Sequence, residues 1–380
     1  MTGPLSGIRI VEFEGLGPGP FAGMMLADHG AEVIRISRPN HAGLLSALAK
    51  TDVLARSRRK IAIDMKSADG LAIVCDLCAC ADGIIEGFRP GVMERLGLGP
   101  QELLARNPAL VYGRITGWGQ DGPLAQAAGH DINYIAVNGV LHTVGLKGGK
   151  PVPPVNYIGD FGGGGMLLAF GMVAALLSAR ANGQGQVVDA AMVDGSALLS
   201  GMVWQLHNAG AWTDTPGSNW LDGGAHFYDS YQCADGKYVA IGSIEPHFYA
   251  QLRAALGLVD DPDFDAQMDA RAWPALKTKI AAIIATRTRD HWTALMEGTD
   301  ICFAPVMTIA EAPTHPHVAA RGTFIQVDGQ TQPAPAPRFS AAPASPPRAT
   351  SAQTDTDALL AMIGYDAARI DALRQAGTIQ

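Results

Sequence analysis

Apolar positions early in the chain fall in short β-branched runs separated by stretches of helical spacing. Residues 8–12 (IRIVE) and 32–36 (EVIRI) read as strands, with GLGPGP as a turn and a helix over 21–29 between them. The pattern repeats downstream. A strand at 61–64 precedes a cysteine-bearing helix, a buried strand at Gly83–Glu86, a strand at 109–116, another at 185–192 and a helix over 193–210. Strands alternating with helices imply an α/β fold, a parallel sheet covered on both faces.

The character changes near residue 213. Thr215-Pro-Gly-Ser-Asn219 reads as a linker, and runs at 226–233 and 238–243 flank Ala-Asp235-Gly236-Lys, a hairpin signal. Glu245-Pro246 opens a helix, Pro being suited to an early helical position, and further helix is expected at 273–296. This is a smaller α+β unit, expected over 222–322. The Pro/Ala-rich stretch 333–348 should run extended over a surface, followed by helical spacing at 355–375. The expected division is therefore a large domain over 1–212, the small one, and a return segment and helix over 323–380 packing on the large one.

Composition narrows the function. A chain of 380 residues exceeds one simple core. A formal net charge of -8 argues against a nucleic-acid partner. The most apolar run, 165–177, is too short to span a membrane. Five cysteines and no signal-peptide pattern suggest a reducing, cytoplasmic setting. Cys75, Cys78 and Cys80 lack a second ligand cluster and read as a helix's buried face, so no metal is expected.

Candidate chemistry concentrates in residues 129–166. Asp160 faces Gly162–Gly165, read as a Gly-rich turn into an apolar helix-like run over 166–179, and His130 and Asp131 lie upstream. A lone Asp or His is more often a cap or a satisfied loop residue. Together, a carboxyl and an imidazole facing one carbon are what removal and return of a proton require. The amides of Asp160 and the glycines after it are the expected donors to an enolate oxygen. Gly17-Pro-Gly-Pro-Phe-Ala22 matches the dinucleotide fingerprint only formally, because Pro18 and Pro20 remove N–H donors a pyrophosphate would need. Arg38, Arg58, Arg59, Lys66 and Arg89 are expected in loops after strands, where open α/β sheets bind ligands, and as a cluster suggest a phosphate site. Met166, Met172, Met192 and Met202 are more often plain core than an acyl-pocket wall.

The segments PLSGIRIVEF, GPGPFAGMMLADHGAEVIRI, EGFRPGVMERLGLG, GRITGWGQDGPLAQAAGHDINYIAVNGVL, GDFGGGG and DGKYVAIGSIEPHFY together resemble the family III CoA-transferase/racemase superfamily. His130 before Asp131 is similar to the racemase branch, whereas transferases typically carry an apolar residue there. The resemblance implies a Rossmann-like large domain built from both chain ends, with an inserted small domain. It also implies an interlocked homodimer whose active site lies between the large domain of one subunit and the small domain of the other. The implied substrate is a 2-methylacyl-CoA thioester, epimerised at C2 through an enolate with no cofactor beyond the CoA of the substrate. His130 and Asp160 are the implied acid/bases, with Glu245 orienting the imidazole and Asn156 beside the acid. Arg38, Arg58, Arg59, Lys66, Arg89, Tyr134, Asn156 and Gly162 are the implied substrate contacts. The alternative is CoA transfer through an acyl anhydride at Asp160, which needs neither His130 nor Glu245.

Overall fold

The computed structural model describes residues 2–39, 51–350 and 353–380. Six strands form one wholly parallel sheet: β1 (Arg9–Phe13), β2 (Glu32–Ser37), β3 (Arg58–Ala62), β4 (Gly83–Glu86), β5 (Val111–Thr116) and β6 (Val187–Ala191). Their order is β3-β2-β1-β4-β5-β6, that of the doubly wound dinucleotide-binding fold. The mixed α/β architecture read from the sequence is present. Successive side chains on a strand point to opposite faces, so Ile10, Val33 and Ile85 enter one core with Leu168 and Met172. Val11, Ile34 and Ile84 enter the other, beneath Ile73, Leu77 and the C-terminal Leu359 and Leu360. Cys75 and Cys78 belong to that second core, and burial pushes both thiols up.

Chain progression reverses between β1 and β4. The crevice beyond the carboxyl ends of these two strands is where such sheets bind ligands.

Several expected elements shift. The helix after β1 is Pro18–Asp28, so both prolines stand in its first turn, where no intrahelical N–H is required. β3 starts at Arg58 rather than 61. Charged side chains conceal a strand from any apolar pattern, and here Arg58 and Arg59 find acidic partners inside the sheet. The helix expected at 193–210 is two, Met192–Leu199 and Gly201–Asn208, and that at 273–296 is Trp273–Ile284 and Arg289–Met296.

The glycine run is not a turn. Tyr157–Met166 is π-helical, with the Phe161 amide donating to the Asn156 carbonyl at 3.3 Å, and it continues directly into the α-helix Leu167–Asn182. Its glycines let backbones touch. A Cβ on Gly195 would overlap the Gly163 carbonyl, and one on Gly165 would lie 2.8 Å from the Pro18 carbonyl oxygen. The continuous helix Tyr157–Asn182 has 26 residues and is, by length and composition, the single candidate for a membrane crossing among the described residues. The reading that it is too short is therefore corrected. One face of it is core: Gly83 and Gly113 leave room for Met172, which is fully buried.

The chain divides into two compact units. One comprises Met1–Asn138, Val155–Leu199 and Gly322–Gln380; the other comprises Gly139–Pro154 and Ser200–Arg321. The first thus gathers both chain ends, and residues 139–154 and 200–212, expected in the large domain, cluster with the second. In the first, the return segment is held by Arg56, which pairs with Asp28 and donates to the Pro333 carbonyl at 2.7 Å. Ile63 bridges Ile379 at the free edge of β3. The second is built on an antiparallel sheet of β7 (Tyr228–Gln232), β8 (Tyr238–Gly242) and β9 (Phe303–Pro305) packed on Leu252, Trp273 and Ile280. The β7–β8 connection is the hairpin read at Asp235-Gly236.

Overpacking against backbone costs about 1–3 kcal/mol or more. Gly195→Ala is therefore expected to lower the urea midpoint of unfolding, whereas Gly201→Ala, with open space around its Cβ, should leave it unchanged or raise it.

Candidate active site

Asp160 lies in the first turn of the π-helical segment, and its carboxylate reaches the β1 crevice. A Cβ on Gly17, which stands at φ 66° at the start of helix Pro18–Asp28, would lie 3.4 Å from Asp160 Oδ2. Asn156 Nδ2 donates to the same oxygen at 3.1 Å. Burial is the largest influence on this half-buried carboxyl and raises it above the ordinary aspartate value. The Asn156 hydrogen bond opposes that rise, Asp131 adds to it, and His130 opposes it.

His130 caps the short helix Asp131–Val137, its backbone N–H donating to Asn133 Oδ1 at 3.0 Å. The imidazole is exposed and close enough to act on the charge of Asp160. Tyr134 is buried. Its hydroxyl donates to the Gly129 carbonyl, and its ring meets Trp118 edge-on at 4.9 Å. Burial pushes the Tyr134 phenol up to about 12, with the negative charges of Asp160 and Asp131 adding to the effect. Tyr134 thus fixes the peptide before His130.

The residue that sequence reasoning passed over is Asp131. Its Oδ1 accepts the Asp160 backbone N–H at 2.7 Å. The amide expected to serve an enolate oxygen is therefore already occupied, and that expectation is withdrawn. One signal was present: Gly159, immediately before Asp160, where a Cβ would sit 2.5 Å from Asp131 Oδ1. Gly162 is half-buried, its Cβ position 3.0 Å from Leu199 Cδ1.

The expected phosphate cluster separates into two groups. Arg38, Lys66 and Arg89 are exposed just beyond the carboxyl ends of β2, β3 and β4. Arg58 and Arg59 are not in a loop; they open β3. The Arg58 side chain is 0% exposed, ion-paired to Glu12 at 2.9 Å and donating to the carbonyls of Pro20 and Arg56. Arg59 pairs with Glu32 at 2.7 Å. Gly23 leaves the space that the Glu12–Arg58 pair fills. Met172 and Met192 are core, while Met166 and Met202 are exposed. In the second unit Glu245 is exposed and caps helix Pro246–Ala255 through its carbonyl, which accepts the Tyr249 N–H at 2.9 Å.

The profile of CoA-transferase family III matches residues 5–356. The chain belongs to this family. Within CoA-transferase family III it is 46% identical to the alpha-methylacyl-CoA racemase of Mus musculus over 344 residues, 90% of this chain and 88% of that protein. It is 44% identical to the alpha-methylacyl-CoA racemase of Homo sapiens over 345 residues, with the same two coverages. Among solved structures, a CAIB/BAIF family protein from Brucella suis superposes with a TM-score of 0.81 at 25% identity, covering 96% of this chain and 100% of that one.

Removing one partner of a buried ion pair costs about 3–5 kcal/mol, because the other charge stays buried. Arg58→Met is expected to lower stability by that order in urea unfolding, through Glu12 rather than through any loss of substrate affinity.

Proposed function

We propose that this protein is a cofactor-independent isomerase that interconverts the (2R) and (2S) epimers of 2-methylacyl-CoA thioesters. The observation that carries the reading is a carboxyl with raised proton affinity, Asp160, within electrostatic reach of an exposed imidazole, His130, at the sheet's switch point. Identity of 44–46% to two alpha-methylacyl-CoA racemases along most of the chain supports it.

Starting from neutral imidazole and carboxylic acid, His130 takes the C2 proton from one face. The C2–H electron pair moves into the enolate. Asp160 then gives its proton to C2 on the other face, leaving imidazolium and carboxylate, the pair that handles the opposite epimer. Both states hold the same number of protons, and no cofactor beyond the CoA of the substrate is proposed. Arg38, Lys66 and Arg89 are the proposed contacts to the CoA phosphates, as exposed cations at the ligand-binding edge. Glu245 is the proposed group that holds the imidazole tautomer, on the strength of the family resemblance.

A second copy of the chain is the proposed partner, in an interlocked homodimer with the second unit as its inserted domain. The outer face of Leu167–Asn182 supports this. Phe170 and Leu177, each 72% exposed, stand in one stripe with Met166 and Val173, beside Leu198 and Leu199. A cytoplasmic location is proposed with it.

Incubating one 2-methylacyl-CoA epimer with the protein in D2O tests the activity. Deuterium entry at C2 with loss of configuration, and no second acid present, is the expected result, and His130→Ala should abolish it. If CoA instead moves to an added acid and hydroxylamine traps Asp160, the protein is a CoA-transferase. For the assembly, Leu177→Glu is expected to shift the sedimentation coefficient from dimer toward monomer.

A further inference from the structure

We propose that Asp131 is a positioning residue for Asp160, a buried carboxylate that anchors the Asp160 backbone and whose charge keeps the proton on the Asp160 side chain. The proposal rests on the racemase reading and assigns this site a residue beyond the acid/base pair and Glu245.

Asp131 is 6% exposed. One oxygen, Oδ1, accepts the Asp160 N–H at 2.7 Å, and the other, Oδ2, is buried with no hydrogen-bond partner among the described residues. A half-satisfied carboxylate is costly to bury when a cation or several donors do not surround it. The surrounding sequence nonetheless makes room for it, since any side chain at Gly159 would crowd Oδ1. No arginine or lysine pairs with it among the described residues, whereas the buried acids Glu12, Asp28 and Glu86 each have an arginine partner. The effect of Asp131 on Asp160 is to favour its protonated form.

The other groups around Asp160 leave that role to Asp131. From the capping turn and helix Asp131–Val137 come His130, which opposes protonation, and the Tyr134 phenol, which is neutral at physiological pH. The first turn of helix Pro18–Asp28 carries no titratable side chain. Helix Met192–Leu199 offers only Asp194, which is exposed and acts on Asp189. Asp160's own segment offers Asn156, a neutral donor that favours the carboxylate.

Asp131→Asn separates charge from shape, because the amide oxygen still accepts the Asp160 N–H. Titration of the Asp160 carboxyl is followed by 13C NMR of aspartate-labelled full-length protein, with Asp160→Asn identifying its signal. The expected result is a midpoint about half to one pH unit lower in Asp131→Asn. The acid limb of the kcat/KM–pH profile should fall by the same amount, with the urea midpoint of unfolding held. The sign follows from removing a like charge, which makes Asp160 easier to ionise. An unmoved Asp160 midpoint overturns the proposal, including when activity falls, since a merely structural anchor would cost activity without moving it. If Asp131→Asn does not fold, Asp131→Ser, which removes the same charge, is titrated against the unmodified chain. A lowered Asp160 midpoint supports the proposal and an unmoved one overturns it. The titration needs no turnover, so absent exchange at C2 would remove the racemase reading and leave this measurement standing.

Discussion

Where the Tyr157–Met166 segment meets helix Met192–Leu199, two peptide backbones touch at Gly163 and Gly195, and the site depends on that contact. Nothing larger than hydrogen fits at either position. Because the segment can sink this far, its first turn lies beside the start of helix Pro18–Asp28, and Asp160 arrives at Gly17. The wider π-helical winding accompanies this approach. Such windings recur at functional sites, and here the winding carries Asp160 while the α-helix beyond it is ordinary sheet cover.

The cationic side chains are sorted by the polarity of the parallel sheet. At the start of β3, Arg58 and Arg59 are consumed by Glu12 and Glu32 and serve the fold. At the sheet's carboxyl end, Arg38, Lys66 and Arg89 are exposed and serve whatever enters the crevice. Arg59 and Lys66, though close in the chain, thus have unrelated roles, because β3 carries the chain from one to the other.

Much of this was legible in the sequence. The β-branched runs of β1, β2 and β4 announced themselves, as did the hairpin at Asp235-Gly236 and the conjunction of His130 with Asp160. What escaped notice shares a cause: it depends on a partner far away in sequence. β3 was placed too late because Arg58, Arg59 and Lys60 resemble a loop until Glu12 and Glu32 stand beside them. The long apolar helix was cut short because glycines read as a turn until another glycine backbone packs against them. Asp131 seemed a bystander to His130 because its bond to the Asp160 amide spans two elements.

The tie between Ile63 and Ile379 sets an order of events during synthesis. β3 is made early, yet its outer edge is paired by residues made far later, and the hold of Arg56 on the return segment waits equally long. Until then the sheet has an open margin, the kind of surface that recruits stray strands.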